Sequence, residues 1–149
     1  MKPLHRVIWF FKIAETIAEA SPDRSTKVGC IIVGPDYEIR AQGYNGFPRG
    51  FDDERTEYHE RPFKYDLVVH AEANAIANAA RTGVCLKGCV AYVTHPPCCH
   101  CASLLVNSGV SRVVWRPGGE DFQGRWKRSN DIALDIFLRS GVETTAFQI

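Results

Sequence analysis

Apolar side chains recur at helical spacing in four stretches of the chain. In the first stretch the pattern runs from Pro3 to Ala20, and Ser21-Pro22-Asp23 ends it. The second is rich in alanine and ends before Gly83, which suits the position after a helix. We therefore predict helices at Pro3–Ala20, at His70–Arg81, from Pro97 to Val106, and near Asn130–Arg139 with Ser129 or Asn130 as its cap.

Five shorter runs are rich in β-branched and aromatic residues and are bounded by turn residues. The predicted strands are Val28–Val33, Glu38–Tyr44, Cys89–Thr94, Ser111–Trp115 and Val142–Phe147. Because the later strands alternate with helices, we predict one α/β domain over residues 1–149, with helices on both faces of a mixed sheet. The polar segment Asn45–Pro62 and the glycine-rich segment Pro117–Gly124 are predicted to be loops.

Composition and charge exclude several classes of protein. Of the 149 residues, 45% are hydrophobic and 23% are charged, which is typical of a globular domain. The formal net charge of +1 lacks the basic surplus of nucleic-acid-binding proteins, so we expect no nucleic-acid partner. Since no apolar run approaches the roughly 18 residues of a membrane span, we expect a cytoplasmic protein without membrane contact. In a reducing cytosol, six cysteines favour a metal site over disulfides.

Two short motifs, His70-Ala71-Glu72 and Pro97-Cys98-Cys99-His100-Cys101, carry the candidate chemistry, and each opens a predicted helix. Cys98 and Cys101 are three positions apart, so their sulfurs share one side of a helix whose positive end favours thiolates. Two thiolates and the His70 imidazole suit Zn²⁺ and leave a fourth position open for water, as in catalytic zinc sites. Glu72 is the predicted general acid–base, and this pattern of motifs is a known signature of zinc deaminases.

A structural zinc site is the alternative interpretation of the same motifs. Cys85, Cys89 or His100 would then supply a fourth ligand and close the site. The carboxylate of Glu72 favours the catalytic interpretation, because a closed four-ligand site has no use for it. Cys99 points about 100° away from Cys98 on a helix, so packing is its expected role.

Further segments extend the pattern beyond the zinc motifs: Ser21-Pro22-Asp23 with Val28–Val33, and Gly43-Tyr44-Asn45-Gly46-Phe47-Pro48-Arg49-Gly50. With them the chain resembles the deoxycytidylate (dCMP) deaminase family of the cytidine deaminase superfamily. The resemblance implies a three-layer α/β/α sandwich around a mixed five-stranded sheet, and hydrolysis of dCMP to dUMP and ammonia with one catalytic Zn²⁺ per subunit. It further implies a homo-hexamer that dCTP activates and dTTP inhibits, each bound with Mg²⁺.

The expected nucleotide contacts fall into two sets. The substrate-binding residues are expected to be Asn45, Ala71, Thr94, Pro97, Trp115 and Arg116. The effector-binding residues are expected to be Asn45, Gly46, Pro48, Arg49, Gly50 and Arg81, with Arg24 and Lys27 as candidates for a triphosphate contact. Arg116, Arg125 and Lys127 also suit a substrate phosphate, and Trp115 and Trp126 suit a sugar or base face. Solvated surface charge is the alternative for the basic residues.

The sequence also allows a second metal site and other functions to be considered. In some family members a cysteine just before the His-x-Glu motif binds a second, structural zinc. Val69 occupies that position here and His59 has no convincing partners, so we expect a single zinc. The alternatives are a bifunctional enzyme that also accepts dCTP, a tRNA adenosine deaminase, and a non-catalytic module built on structural zinc.

Overall fold

A mixed five-stranded sheet forms the centre of the protein. The computed structural model describes the backbone of residues 1–149 and every side chain except those of residues 121–123. The strands are β1 Gly29–Val33, β2 Ile39–Tyr44, β3 Val90–Val93, β4 Arg112–Trp115 and β5 Glu143–Ala146. Their order across the sheet is β2-β1-β3-β4-β5; β1 is antiparallel to both neighbours, whereas β3, β4 and β5 are parallel.

Helices cover both faces of this sheet, which confirms the predicted three-layer α/β/α fold. The helices are α1 Pro3–Ala18, α2 Phe63–Leu67, α3 Ala71–Thr82, α4 Cys99–Asn107 and α5 Glu120–Ser140, with a 3₁₀ turn at Thr56–His59. One face packs against α1, and the other packs against α3, α4 and α5. In the described part of the chain, no helix has the length and apolar character that crossing a bilayer requires.

The period of two along β1 explains how one strand serves both layers. Cys30 and Ile32 point into the core shared with α3, whereas Ile31 and Val33 point toward α1. All five residues of β1 are buried, as expected for a central strand covered on both faces. On the α1 side, Phe11 is fully buried and contacts Tyr92 of β3 edge-on.

A glycine lets α3 lie very close to β2. A Cβ added at Gly43 would lie 2.4 Å from the carbonyl oxygen of Ala71 and 2.4 Å from the amide nitrogen of Ala75. No side chain fits in that space, so Gly43 is required for this close approach. The contact fixes the first turn of α3 against the sheet, and the residue immediately before that turn is His70.

The start of α5 differs from the sequence prediction. Residues 117–124 were expected to be a loop, with the helix capped at Ser129 or Asn130, but α5 begins at Glu120. Gly124 lies inside the helix, where a glycine costs about 1 kcal/mol relative to alanine. Tertiary contacts farther along α5, including the fully buried Ala133 and Phe137, stabilise the helix against that cost.

The predicted loop after β2 is also more structured than expected. The 3₁₀ turn and α2 lie between β2 and α3. Gly46 and Val69 exchange two backbone hydrogen bonds, with N–O distances of 3.0 and 2.8 Å. These bonds tie the start of the segment to the residue before His70, so the segment closes on itself beside the α3 N-terminus.

Candidate active site

Three potential metal ligands meet where α3 and α4 begin. The Nδ1 atom of His70 lies 3.4 Å from the sulfur of Cys98 and 3.5 Å from that of Cys101, and the three ligand atoms lie within 4.8 Å of one another. Tetrahedral zinc with sulfur and nitrogen ligands requires separations of roughly 3.5–3.8 Å. The donor set and its spacing therefore fit Zn²⁺. In the described side chains this group has no fourth protein ligand, so Cys85, Cys89 and His100 do not close the site.

The backbone presents these ligands at helix ends. His70 is the N-cap residue of α3 and Cys98 is the N-cap residue of α4. The sulfur of Cys98 accepts a hydrogen bond from the backbone N–H of Cys101 at 3.4 Å. Free N–H groups and the positive end of a helix stabilise negative charge. The N-cap position of α4 therefore favours a thiolate at Cys98.

The two thiols have opposite protonation tendencies. A hydrogen bond from Cys101, followed in importance by one from His70, lowers the pKa of Cys98 to about 4 against the cost of burial. The shared hydrogen bond and burial raise the pKa of Cys101. The hydrogen bond to Cys98 raises the pKa of His70. The lowered pKa of Cys98 favours its thiolate, which is the form of cysteine that binds a metal ion.

Glu72 lies within the first turn of α3, two residues after His70. Its side chain is 4% exposed and borders the same cavity as His70 and Cys98. Burial, partly offset by the charge of His70, raises the pKa of Glu72 to about 7. A carboxyl group in that range can both accept and release a proton near neutral pH.

A cavity of about 430 Å³ opens in front of the metal ligands. Its size suits a small-molecule ligand. Segments from five parts of the chain contribute to its lining: residues 23–28, Asn45, residues 61–72, residues 95–98, and the first half of α5. Of the predicted substrate-binding residues, Asn45, Ala71 and Pro97 line this cavity.

The other three predicted substrate-binding residues lie outside the lining of this cavity. Thr94 accepts a hydrogen bond from the Gly29 amide through its hydroxyl at 3.0 Å. Trp115 is 6% exposed and packs in the core beneath α3, α4 and α5. Arg116 pairs with Glu15 at 3.5 Å and stacks over the ring of Phe11, with 4.4 Å from Cζ to the ring centroid. The structure therefore gives Trp115 and Arg116 packing contacts on the sheet and does not bring them to the metal ligands.

Asn45 organises the wall of the cavity through a buried polar network. Its Oδ1 accepts from the Val28 amide at 2.8 Å, and its Nδ2 donates to the Thr26 carbonyl at 2.8 Å. Asp23 accepts from the Ser25 and Thr26 amides and pairs with Lys64 at 2.9 Å. The network joins the segment before β1 to α2, just ahead of His70.

Two residues of α5 hold the turn that presents Cys98. The hydroxyl oxygen of Ser129 accepts a hydrogen bond from the backbone N–H of Cys99 at 3.0 Å. The amide of Asn130 donates to the carbonyl oxygen of Pro97 at 3.2 Å. Ser129 and Asn130 are predicted from the sequence to cap their own helix. In the structure they instead form hydrogen bonds with the start of α4.

Several residues that line the cavity cannot be recognised as site residues from the sequence pattern. Arg61, Lys64 and Tyr65 fall in a polar stretch, and His95 adjoins a strand end; all four line the cavity. Burial lowers the pKa of His95. The contact of Lys64 with Asp23 brings α2 to the wall of the cavity. Arg125 and Trp126, which were considered for substrate contact, also line the cavity.

Apart from Asn45, the predicted effector residues do not line the catalytic cavity. Arg49 and Arg81 both donate to Oδ1 of Asn78, at 3.3 and 2.8 Å. Gly46 lies next to Val69, and Gly50 has a positive φ of 87°, which suits the turn after Pro48. Arg24 donates to the Glu54 carbonyl at 3.2 Å and Lys27 to the Glu19 carbonyl at 3.2 Å, so neither points to the paired arginines.

Comparisons with known proteins agree with this geometry. Residues 5–116 match the model of the cytidine and deoxycytidylate deaminase zinc-binding region. A protein of Aliivibrio fischeri, described as an uncharacterized deaminase in the luxG 3′ region, is 40% identical over 91% of this chain and 89% of its own length. Human deoxycytidylate deaminase is 38% identical over 72% of this chain, which spans 62% of the human protein.

A solved structure agrees with the fold over nearly its full length. The crystal structure of dCMP deaminase from the cyanophage S-TIM5 in complex with dCMP and dUMP superposes with a TM-score of 0.78, at 31% identity and 99% coverage of both chains. The fold and the three-ligand site together define the class of zinc-dependent deaminases. Within that class, this chain belongs to the cytidine and deoxycytidylate deaminase family.

Proposed function

We propose that this protein hydrolyses the exocyclic amine of dCMP, releasing dUMP and ammonia. The observation that carries the proposal is the position of Glu72, a buried carboxyl group that borders the cavity beside a three-ligand zinc site. The likeness to a dCMP deaminase solved with dCMP and dUMP supports this choice of substrate. In the reaction, C4 of the cytosine ring gains an oxygen from water and loses its amino nitrogen as ammonia.

The roles of the chain's own residues follow from their positions. His70, Cys98 and Cys101 would hold one Zn²⁺, which supplies a Lewis acid that lowers the pKa of water. Glu72 is the proposed proton carrier: it takes a proton from water and delivers protons to the ring nitrogen and to the departing amine. Asn45 keeps the sugar end of the cavity in shape through its contacts with Thr26 and Val28.

Turnover of purified, zinc-loaded protein tests the proposal directly. dCMP, dCTP, deoxycytidine and a tRNA adenosine stem-loop are compared as substrates, with ammonia and the uracil product both quantified. We expect dCMP to be the best substrate. We also expect Glu72→Gln to retain zinc while turnover falls about 10²–10⁴-fold, the usual contribution of general acid–base catalysis. Retained zinc without turnover of any substrate by the unmodified protein would favour the non-catalytic zinc module.

Regulation by nucleotides forms the second part of the proposal, with dCTP as activator and dTTP as inhibitor, each with Mg²⁺. Asn78 holds the guanidinium groups of Arg49 and Arg81 close together through one oxygen atom. Neither arginine has an ion pair in the described part of the chain. Two adjacent guanidinium groups without an acidic partner favour a phosphate chain. A homo-hexamer is part of this proposal, since family members are typically hexameric.

Arg81→Gln separates regulation from catalysis. We expect the variant to deaminate dCMP without effectors at the normal rate, because Arg81 does not line the catalytic cavity. The concentrations of dCTP and dTTP that give half-maximal activation and inhibition should each rise about tenfold or more. An unchanged response would remove Arg81 from the effector site, and sedimentation of the same samples would report whether hexamers form.

A further inference from the structure

Among the described side chains that line the catalytic cavity, two arginines have no acidic partner. Lys64 is paired with Asp23, and His70 and Cys98 belong to the metal site. Glu72 lies beside the metal ligands. The remaining charged side chains of the lining are Arg61 and Arg125, and neither has an ion pair among the described side chains. The cavity thus combines a buried acidic group at the metal end with two arginines that form no ion pair with any described carboxylate.

A row of aromatic rings connects Arg61 to the metal site. Trp126 lies edge-on to the ring of His70, with centroids 6.4 Å apart at 87°. The same indole lies edge-on to Tyr65 at 6.0 Å and 84°. The guanidinium of Arg61 lies over Tyr65, with its Cζ 5.7 Å from the ring centroid. Arg125 precedes Trp126 in α5, and both residues line the cavity together with Arg61 and His70.

We propose that Arg61 and Arg125 bind the 5′-phosphate of the substrate, and that Trp126 positions Arg61, through Tyr65, relative to the metal ligands. This inference rests on the proposed deamination of dCMP and assigns the phosphate subsite of that reaction. Guanidinium groups recognise phosphate through paired N–H donors, and two of them can share the oxygens of one phosphate group. The early start of α5 serves this arrangement, because a helix that began near Asn130 would not include Arg125 and Trp126.

The number of free charges favours one phosphate over three. A phosphate monoester carries about −1.5 to −2 charges at neutral pH. Two arginines match that charge, whereas the additional negative charge of a triphosphate has no further unpaired cation in the described lining, since Lys64 is already bound to Asp23. The site therefore selects dCMP over both deoxycytidine, which lacks the anion, and dCTP, which exceeds the available positive charge.

The test measures kcat and KM for dCMP and for deoxycytidine in zinc-loaded protein with the single variants Arg61→Gln and Arg125→Gln. Each variant should raise the KM for dCMP about 10–100-fold, the loss expected for a charge-assisted hydrogen-bond pair. Turnover of deoxycytidine should stay within about twofold, because that substrate never contacts the arginines. Trp126→Phe, which keeps a ring of smaller size, should weaken dCMP binding with a smaller change in kcat.

Arg128→Gln is the matched control, because Arg128 is an exposed arginine in the same helix that does not line the cavity. Its KM for dCMP should not change. If Arg61→Gln and Arg125→Gln leave the ratio of dCMP to deoxycytidine efficiency unchanged while the unmodified protein deaminates dCMP, the phosphate assignment is wrong and the proposed function stands. If the unmodified protein does not deaminate dCMP at all, the proposed function itself fails. Direct titration of Glu72→Gln protein with dCMP and deoxycytidine, with and without the Arg125→Gln change, provides a binding readout that does not depend on turnover.

Discussion

The Nζ atom of Lys64 lies 2.9 Å from Oδ1 of Asp23, and the two side chains are only 8% and 5% exposed. The pair joins α2 to the segment before β1 at the wall of the catalytic cavity. Asp23 also accepts hydrogen bonds from the Ser25 and Thr26 amides, so its carboxylate is well solvated by the protein. Removing one partner leaves a buried charge without compensation, whereas removing both does not.

The first prediction concerns this ion pair. Lys64→Met, which keeps the length of the side chain, should lower the free energy of unfolding by about 3–5 kcal/mol, because Asp23 then remains buried without its cation. Urea titration at pH 7 measures the change. The double variant Lys64→Met/Asp23→Asn should recover part of the loss. A loss in the double variant equal to the sum of the two single losses would show that the pair has no coupling.

The acid dependence of stability follows from the same carboxylate. Burial acts to raise the pKa of Asp23, but hydrogen bonds from Thr26, Lys64 and Ser25 outweigh it and lower the pKa overall. A carboxyl group with a lowered pKa in the folded state stabilises the fold above its unfolded pKa of about 3.9, and that contribution disappears as the pH falls through the folded pKa. The stability difference between the unmodified protein and Asp23→Asn should therefore be constant between about pH 5 and 7 and shrink below about pH 4.

Asp135→Asn controls for general acid effects in this comparison. Asp135 forms an ion pair with Arg139 at 2.9 Å, but both side chains are exposed. Exposed pairs contribute about 0–1 kcal/mol, so this variant should differ little from the unmodified protein at any pH. If the stability differences caused by Asp23→Asn and Asp135→Asn change equally as the pH falls, the lowered pKa of Asp23 is contradicted.

The third prediction concerns the bond between Ser129 and the start of α4. Ser129→Ala removes the acceptor for the Cys99 amide, next to the ligand Cys98. Groups that orient metal ligands typically contribute 10–100-fold to metal affinity. We expect zinc affinity, measured by competition with a chromophoric chelator, to fall about 10-fold or more while circular dichroism stays unchanged. Ser140→Ala, at the exposed far end of the same helix, should bind zinc normally.

The sequence predicted the parts of the fold and site that depend on local pattern. The strands follow short apolar runs, and the zinc motifs follow a known spacing at helix starts, so their positions can be inferred without tertiary information. The pairing of Asp23 with Lys64 joins residues 41 positions apart and leaves no periodic signal. The position of Arg116 at a strand end suggests a contact with the ligand. In the structure, Arg116 contacts Glu15 and Phe11 of α1, which lie on the other face of the sheet.

The length of α5 was missed for a physical reason. Glycines at positions 118, 119 and 124 lower intrinsic helix propensity, and the sequence therefore favours a loop there. The helix begins immediately after Gly119, and its first half reaches the cavity, where Trp126 contacts His70 and Tyr65. Tertiary packing routinely outweighs the helix-propensity cost of a glycine, which is about 1 kcal/mol. The sequence does not reveal this packing, because it does not show that the rings of His70 and Tyr65 lie close to Trp126.

The last prediction concerns the close approach of α3 to the sheet. A Cβ at Gly43 would lie 2.4 Å from backbone atoms of Ala71 and Ala75, so Gly43→Ala must push the first turn of α3 outward. Backbone displacement of this kind costs about 1–3 kcal/mol or more of stability. Because Glu72 belongs to that turn and His70 immediately precedes it, zinc affinity and turnover should fall together with the melting temperature. Gly124→Ala is the opposite case, since an added Cβ there meets no described atom within 4 Å outside the neighbouring turns of its own helix. That variant should be more stable by up to about 1 kcal/mol, because alanine is the better helix former. A Gly43→Ala protein with normal melting temperature and normal zinc affinity would contradict the close packing of β2 and α3.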